Sequence, residues 1–192
     1  VQGIVARISP QDYDMLSQRV EGIATISPII NGGNQVRYGS QIAAAQVTGS
    51  TYAYQVVARI YMKYGRFLSD NDDQTRRRVA VIGESVRQNL HLPQNPVGEY
   101  IRIGDEWMKI IGLAEERGQI LGNNQDNFVV VPYGTLRSTS GNQNRLDLAI
   151  QIILNDITQM ETVQDRVITL LRQAHKLNPK DDDDFRVQTS SQ

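Results

Sequence analysis

The chain has 192 residues, 40% of them apolar, a net charge of −1 and no cysteine. That length suits one domain or two small ones, and the near-zero charge gives a nucleic-acid role no electrostatic support. No apolar run approaches the ~18 residues a membrane helix needs, residues 1–8 lack the basic start and apolar centre of a signal peptide, and the missing cysteines fit a domain outside the cytoplasm that needs no disulfide.

The first helix signal is Ser9-Pro10-Gln11-Asp12. Ser9 can cap, Pro10 suits the first helical position, and Asp12 favours the positive end of the dipole. Ile8 and Tyr13 stand at the positions of a hydrophobic staple. Tyr13, Leu16 and Val20 form an apolar stripe that Glu21-Gly22 ends. Residues 23–30 read as a strand bent at Pro28, and Asn31-Gly32-Gly33-Asn34 as a hairpin turn. Residues 35–38 and 41–49 read as strands on either side of Gly39-Ser40, and residues 51–57 as a short helix.

The central stretch, residues 64–112, is the most strongly punctuated. A charged turn with Asp70, Asp72 and Asp73 faces Arg76, Arg77 and Arg78, and Arg66 is expected to pair with one of the carboxylates. Val79-Ala80-Val81-Ile82 is a short apolar run stopping at Gly83, as a buried strand does. Residues 85–90 offer a helical turn or two, with Val86 and Leu90 on one face. Asn95-Pro96-Val97-Gly98 makes a turn. Residues 100–103 and 107–111 then form a hairpin across Gly104-Asp105-Glu106, with Trp107 expected in the core.

Residues 115–127 form a polar loop, and residues 128–131 a strand ending at Pro132, followed by a short helix from Tyr133. Residues 138–144 resemble a linker. Residues 146–154 are a strand with Leu148, Ile150, Ile152 and Leu154 on one face. Asp156 opens the longest helix, with Gln159 at the capping-box position. Its stripe is Ile157, Met160, Val163, Val167, Leu170 or Leu171, and Ala174. Asn178-Pro179 stops it, and residues 185–188 form the last strand.

No chemistry-bearing constellation emerges. The run Val79 to Gly83 has one glycine where a dinucleotide fingerprint needs three, and no P-loop occurs. Ser85 lacks the second glycine of a nucleophile elbow. His91 and His175 are the only histidines and lie far apart; His175, at a helix end, suits the dipole. Asp181 to Asp184 lack the spaced ligands and central glycine of a calcium loop and read as a solvated acidic turn. Catalytic, cofactor-binding and metal residues are therefore all expected to be none. The loop from Arg117 to Asn127 is the best candidate for touching a partner.

Gly65-Arg66-Phe67, Asp72, Val79 to Gly83, Asn89-Leu90, Pro96 to Gly98 and Ile110 to Gly112, in that order and spacing, resemble the extracytoplasmic core domain of MacB-type ABC transporter permeases, of the wider MacB and FtsX-like superfamily. The segment from Val47 to Tyr54 and the ending from His175 to Val187 match as well. The loop His91-Leu92-Pro93-Gln94 departs from the pattern, and only residues 1–8 can supply the strand that precedes the first helix in the family. The element order suggests, and the resemblance implies, an α+β fold: a split porter-like α/β layer from residues 1–60 and 143–192, with residues 61–142 as an inserted small β-rich α/β subdomain. Both ends, anchored in one layer, should lie on the same face.

The resemblance further implies a periplasmic or extracytoplasmic part of an inner-membrane permease, dimeric through the full-length protein and driven by a cytoplasmic ATPase domain. Its partners would be a periplasmic adaptor and an outer-membrane exit duct, with no nucleic acid. The domain would be no enzyme, and would transmit motion from ATP hydrolysis to substrate export. The alternatives are a lipoprotein-releasing or cell-division permease domain that recruits a chaperone or a hydrolase activator, and a free-standing periplasmic enzyme.

Overall fold

The structure is a computed structural model that describes residues 3–20, 24–120, 122–139 and 148–190, with the backbone alone for residues 119, 120 and 190. In chain order the elements begin β1 (Gly3–Ile8), α1 (Pro10–Arg19), β2 (Ala24–Tyr38), β3 (Gln41–Ser50), α2 (Tyr54–Ala58), β4 (Met62–Gly65), α3 (Asp70–Gln74), β5 (Val79–Ile82) and α4 (Glu84–Asn89). They continue β6 (Tyr100–Ile103), β7 (Glu106–Ala114), β8 (Gln119–Ile120), β9 (Asn123–Asn124), β10 (Phe128–Pro132), α5 (Tyr133–Thr139), β11 (Leu148–Leu154), a 3-10 turn (Ile157–Gln159), α6 (Met160–Ala174) and β12 (Arg186–Ser190). The helix end expected at Glu21-Gly22, most of the linker at residues 138–144 and the strand start at Leu146 lie outside the described residues.

The chain divides into two compact units, Val1–Ile29 with Asn144–Gln192, and Ile30–Gln143. The expected segments were 1–60 with 143–192, and 61–142. On the N-terminal side β3 pairs in parallel with β10, from Gln46↔Phe128 to Ser50↔Pro132, which ties residues 41–50 to the inserted stretch.

In the first unit β1 lies between β11 and β12 and runs antiparallel to both. Alternation sends Ile4 and Ala6 inward beside Ile150 and Ile152, while Arg7 faces solvent. α1 and α6 complete this core with Leu16, Val20, Val163, Val167 and Leu171. Each of these buried Leu, Ile and Val side chains contributes about 2 kcal/mol by leaving water. The Ser9 reading holds: its hydroxyl accepts from Asp12 N at 3.1 Å, and Asp12 reaches back to Ser9 N, closing a capping box behind Pro10. The α6 stripe holds at Val163, Val167 and Leu171, with Met160 and Leu170 half-buried, but Ala174 and Ile157, the latter 47% exposed, lie outside the core. Gln159 does not form the expected capping box. Asp156 instead accepts from Thr158 N and Thr158 Oγ1, so the first turn closes as a 3-10 turn and α6 starts at Met160.

In the second unit the order is β2-β3-β10-β5-β7-β4, with β6 pairing β2 and β7. Central position buries β5 on both faces: Val79, Ala80, Val81 and Ile82 are at most 3% exposed. Two expectations fail here. Asn31 to Asn34 is no hairpin turn; β2 runs through it, and the extra residues are absorbed as two register shifts against β3, with Asn31 Oδ1 accepting from Gly33 N at 2.9 Å. The turn back is at Gly39-Ser40. Trp107 is not core. Ile103 pairs with Glu106 across the two-residue turn Gly104-Asp105, a register that turns Met108 and Ile110 inward and leaves Trp107 53% exposed.

Candidate functional site

Three places concentrate polar side chains. The first lies in the first unit, where α6 ends beside the acidic turn. His175 Nδ1 is 2.6 Å from Asp184 and its Nε2 is 2.8 Å from Asp12, so one imidazolium donates to carboxylates drawn from opposite ends of the chain. The hydrogen bond to Asp184 raises the His175 pKa above 6.5; burial opposes it, and Asp12 adds to the rise. Phe185 packs edge-on against the same ring at 5.5 Å. Arg172 binds Asp183 and the carbonyls of Asn178 and Asp181. All four aspartates of the acidic run are exposed, as expected of a solvated turn, and two of them are held by the last turns of α6. β1 and β12 run alongside each other from Gly3↔Ser190 to Arg7↔Arg186, so the two ends of the described chain are neighbours on one sheet, as expected.

The second is Asp72, fully buried in the second unit. Ser69 caps α3 through Asp72 N, and the Asp72 carboxylate takes hydrogen bonds from Ser69 N (2.8 Å), Arg66 (2.7 and 3.1 Å) and Arg77 (3.1 Å). Burial works against ionisation, but the bonds from Arg66 and Ser69 outweigh it and lower the pKa from 3.8 to about 2. Its contribution to stability is complete above 3.8 and is lost as pH falls through about 2. The expected pairing of Arg66 is therefore present. This carboxylate is saturated with donors, as a structural hub is, and has no spare lone pair to act as a base.

The third is the loop after β7. It is pinned rather than loose: buried Asp126 accepts from Arg117 N (2.7 Å) and Gly118 N (2.8 Å). The Arg117 guanidinium donates to the carbonyls of Ala58 (2.7 Å) and Gln125, 4.9 Å over the Phe128 ring. Asn124 donates to Ser85 Oγ at 2.7 Å, which accounts for Ser85 without a nucleophile's role. A polar cleft of about 200 Å³ beside it is lined by Thr48, Tyr54, Arg117, Asn127 and Phe128.

Among the described residues no three metal-ligating side chains cluster, and no helix is long and apolar enough to cross a membrane. His91 lies far along the chain from His175, in the left-handed backbone region after α4. The His175–Asp12 tie spans 163 positions and leaves no local signal. The exposure of Trp107 had one: Met108 and Ile110 share the apolar parity of their strand.

The family model for the MacB-like periplasmic core domain matches residues 2–170. A macrolide export ATP-binding/permease protein MacB from Bdellovibrio bacteriovorus is 30% identical over 175 residues, 91% of this chain and 27% of that protein. The pyoverdine export ATP-binding/permease protein PvdT of Pseudomonas syringae is 30% identical over 156 residues, 80% of this chain and 23% of its own length. The chain thus spans about a quarter of these curated relatives. Among solved structures, the periplasmic region of MacB from Actinobacillus actinomycetemcomitans superposes with a TM-score of 0.78 at 17% identity, over 97% of this chain and 87% of that one. The extracellular domain of the noncanonic ABC-type transporter YknZ from Gram-positive bacteria gives 0.78 at 16% identity, with both chains fully covered. These two likenesses establish the α+β fold.

Proposed function

Because the chain belongs to the MacB-like periplasmic core domain family, we propose that it is a mechanical coupler between membrane helices and partners outside the membrane. It is the extracytoplasmic portion of an ABC transporter permease of the inner membrane. In the proposed mechanism a cytoplasmic ATPase domain hydrolyses ATP and two permease copies work as a dimer. The flanking membrane helices then pull on the first unit, and an adaptor and exit duct receive the substrate. The direction is export, as in the names of both relatives. The domain supplies no catalytic group, cofactor or metal. The division into a porter-like layer and a separately moving insertion belongs to this proposal.

The observation that carries the reading is the pairing of β1 with β12. A force on either end enters the same hydrogen-bonded ladder, and β1 hands it to β11 on its other side. A ladder resists sliding because every pair must break together, so helix displacements reach the unit as rigid-body motion. The test is a full-length permease carrying a flexible glycine-serine spacer between β12 and the following membrane span, reconstituted with its adaptor. ATP hydrolysis should persist while export drops at least tenfold. Export at the parental rate would overturn the reading.

A further inference from the structure

One face of the second unit is left uncovered. β3, β2, β6 and β7 present Ile42, Arg37, Arg102 and Trp107 as a single cross-strand row: Arg37 stands opposite Ile42 and Arg102, and Arg102 opposite Trp107. Residues paired in register share a face. Tyr100 and Lys109 pair one step along the same face. Ile42, Tyr100 and Trp107 are 50%, 53% and 53% exposed.

The charges in this row are not balanced. Like charges directly opposite on adjacent strands repel, and Arg37 has no partner among the described residues. Arg102 lies 5.4 Å over the Trp107 ring, and its Nε is buried without an acceptor. Two of the nearby carboxylates are engaged elsewhere, and the third makes only a long ion pair with Arg102. Glu106 is held by Arg78 at 2.9 Å, Glu99 accepts from the Tyr38 hydroxyl at 2.8 Å, and fully exposed Asp105 stands 3.7 Å from Arg102. Between the arginines lies a cleft of about 280 Å³, lined by Gln35, Arg37, Arg102, Gly104 and Asp105. Two partly exposed guanidiniums lining one polar cleft, directly opposite each other on adjacent strands, are a place prepared for a carboxylate.

The spacing says what kind of molecule carries it. Strands lie ~4.8 Å apart, so Ile42 and Trp107 each stand ~7 Å from the midpoint of the two arginines. In an extended peptide, side chains i and i+2 share a face and are separated by ~6.6 Å. We propose that this face docks an extended segment of a partner polypeptide with the pattern apolar, any, acidic, any, apolar. Its carboxylate sits between Arg37 and Arg102, and its apolar residues cover Ile42 and Trp107. A bare phosphate would leave both apolar flanks uncovered.

Trp107 is the sole tryptophan, so its emission reads the site directly. The probe is the capped peptide Leu-Ser-Glu-Ser-Leu, with its glutamine counterpart as control. We expect a saturable emission change with the acidic peptide, weaker by about tenfold or more with the glutamine peptide. The same loss is expected in the double variant Arg37→Gln, Arg102→Gln, and binding should fall with added salt. Unchanged melting temperature shows the variant is folded, and Arg37→Gln alone serves if the double variant is not. No saturable change, equal binding of the glutamine peptide, or equal binding by the variant would overturn the proposal. So would an equal response to inorganic phosphate or to phosphatidylglycerol vesicles. None of these outcomes touches the spacer experiment on ATP-driven export.

Discussion

His175 donates to two carboxylates only when its ring carries both protons. Because its folded pKa is raised, the stability it contributes is complete below 6.5 and is lost as pH rises through the folded value. His175→Gln should therefore lower unfolding stability by about 1–2 kcal/mol at pH 6, and the gap should narrow at pH 9. Urea melts of both proteins at both pH values measure it; an equal gap at the two would contradict the charged tie. Sequence reading reached this residue only as the end of a helix. Local rules identify helix ends and caps, as they did for Ser9, but contain nothing about which distant carboxylate, here Asp12, a side chain will meet. Trp107 teaches the complementary point: large aromatic size argues for the core, yet parity along a strand decides the face.

At the scale of elements, the stretch from Gly65 to Gly112 shows why its motif reads as it does. Gly65 has φ +72°, and a Cβ there would lie 2.0 Å from Ile111 O. It is paired with Gly112, where a Cβ would lie 2.3 Å from Arg66 O. β4 and β7 can thus approach only without side chains, so these glycines are packing requirements of the sheet. Gly65→Ala should cost about 3 kcal/mol or more, from strain plus backbone clash. Gly39→Ala, with φ +57° but open space around it, should cost only about 1 kcal/mol. Similar shifts in the denaturation midpoints of the two variants would contradict this account. Apolar runs stopped by glycine or proline were legible at this scale, as β5 and β10 show. Asn31 to Asn34 was not, because the same glycines that permit a hairpin turn also permit a bulge, and pairing with β3 made the choice.

For the whole molecule, the described surface carries mixed charge, and the net charge of the chain is −1. In the proposed assembly the membrane helices and ATPase domains hold two copies together. Sedimentation of the isolated chain at micromolar concentration should accordingly show a monomer or a rapidly exchanging dimer. A tight dimer at nanomolar concentration would move the dimer interface into this domain. Labelled ATP should show no binding at micromolar concentration, since no P-loop occurs anywhere in the chain.

The position of β1 has a consequence for how the protein is made. It sits between β11 and β12, yet it leaves the ribosome before the whole second unit, while both neighbours follow that unit. At roughly 5–20 residues per second, β1 waits on the order of ten seconds with both edges unpaired. Open edges invite pairing with other chains, and closing so long a loop is slow. The second unit needs neither β1 nor β12 and can finish first. On dilution from urea, Trp107 emission should recover before the amides of Ile4 and Ala6 gain protection from exchange; simultaneous recovery would contradict this order. A nascent chain interrupted before β11 would carry a first strand with neither of its neighbours to pair with.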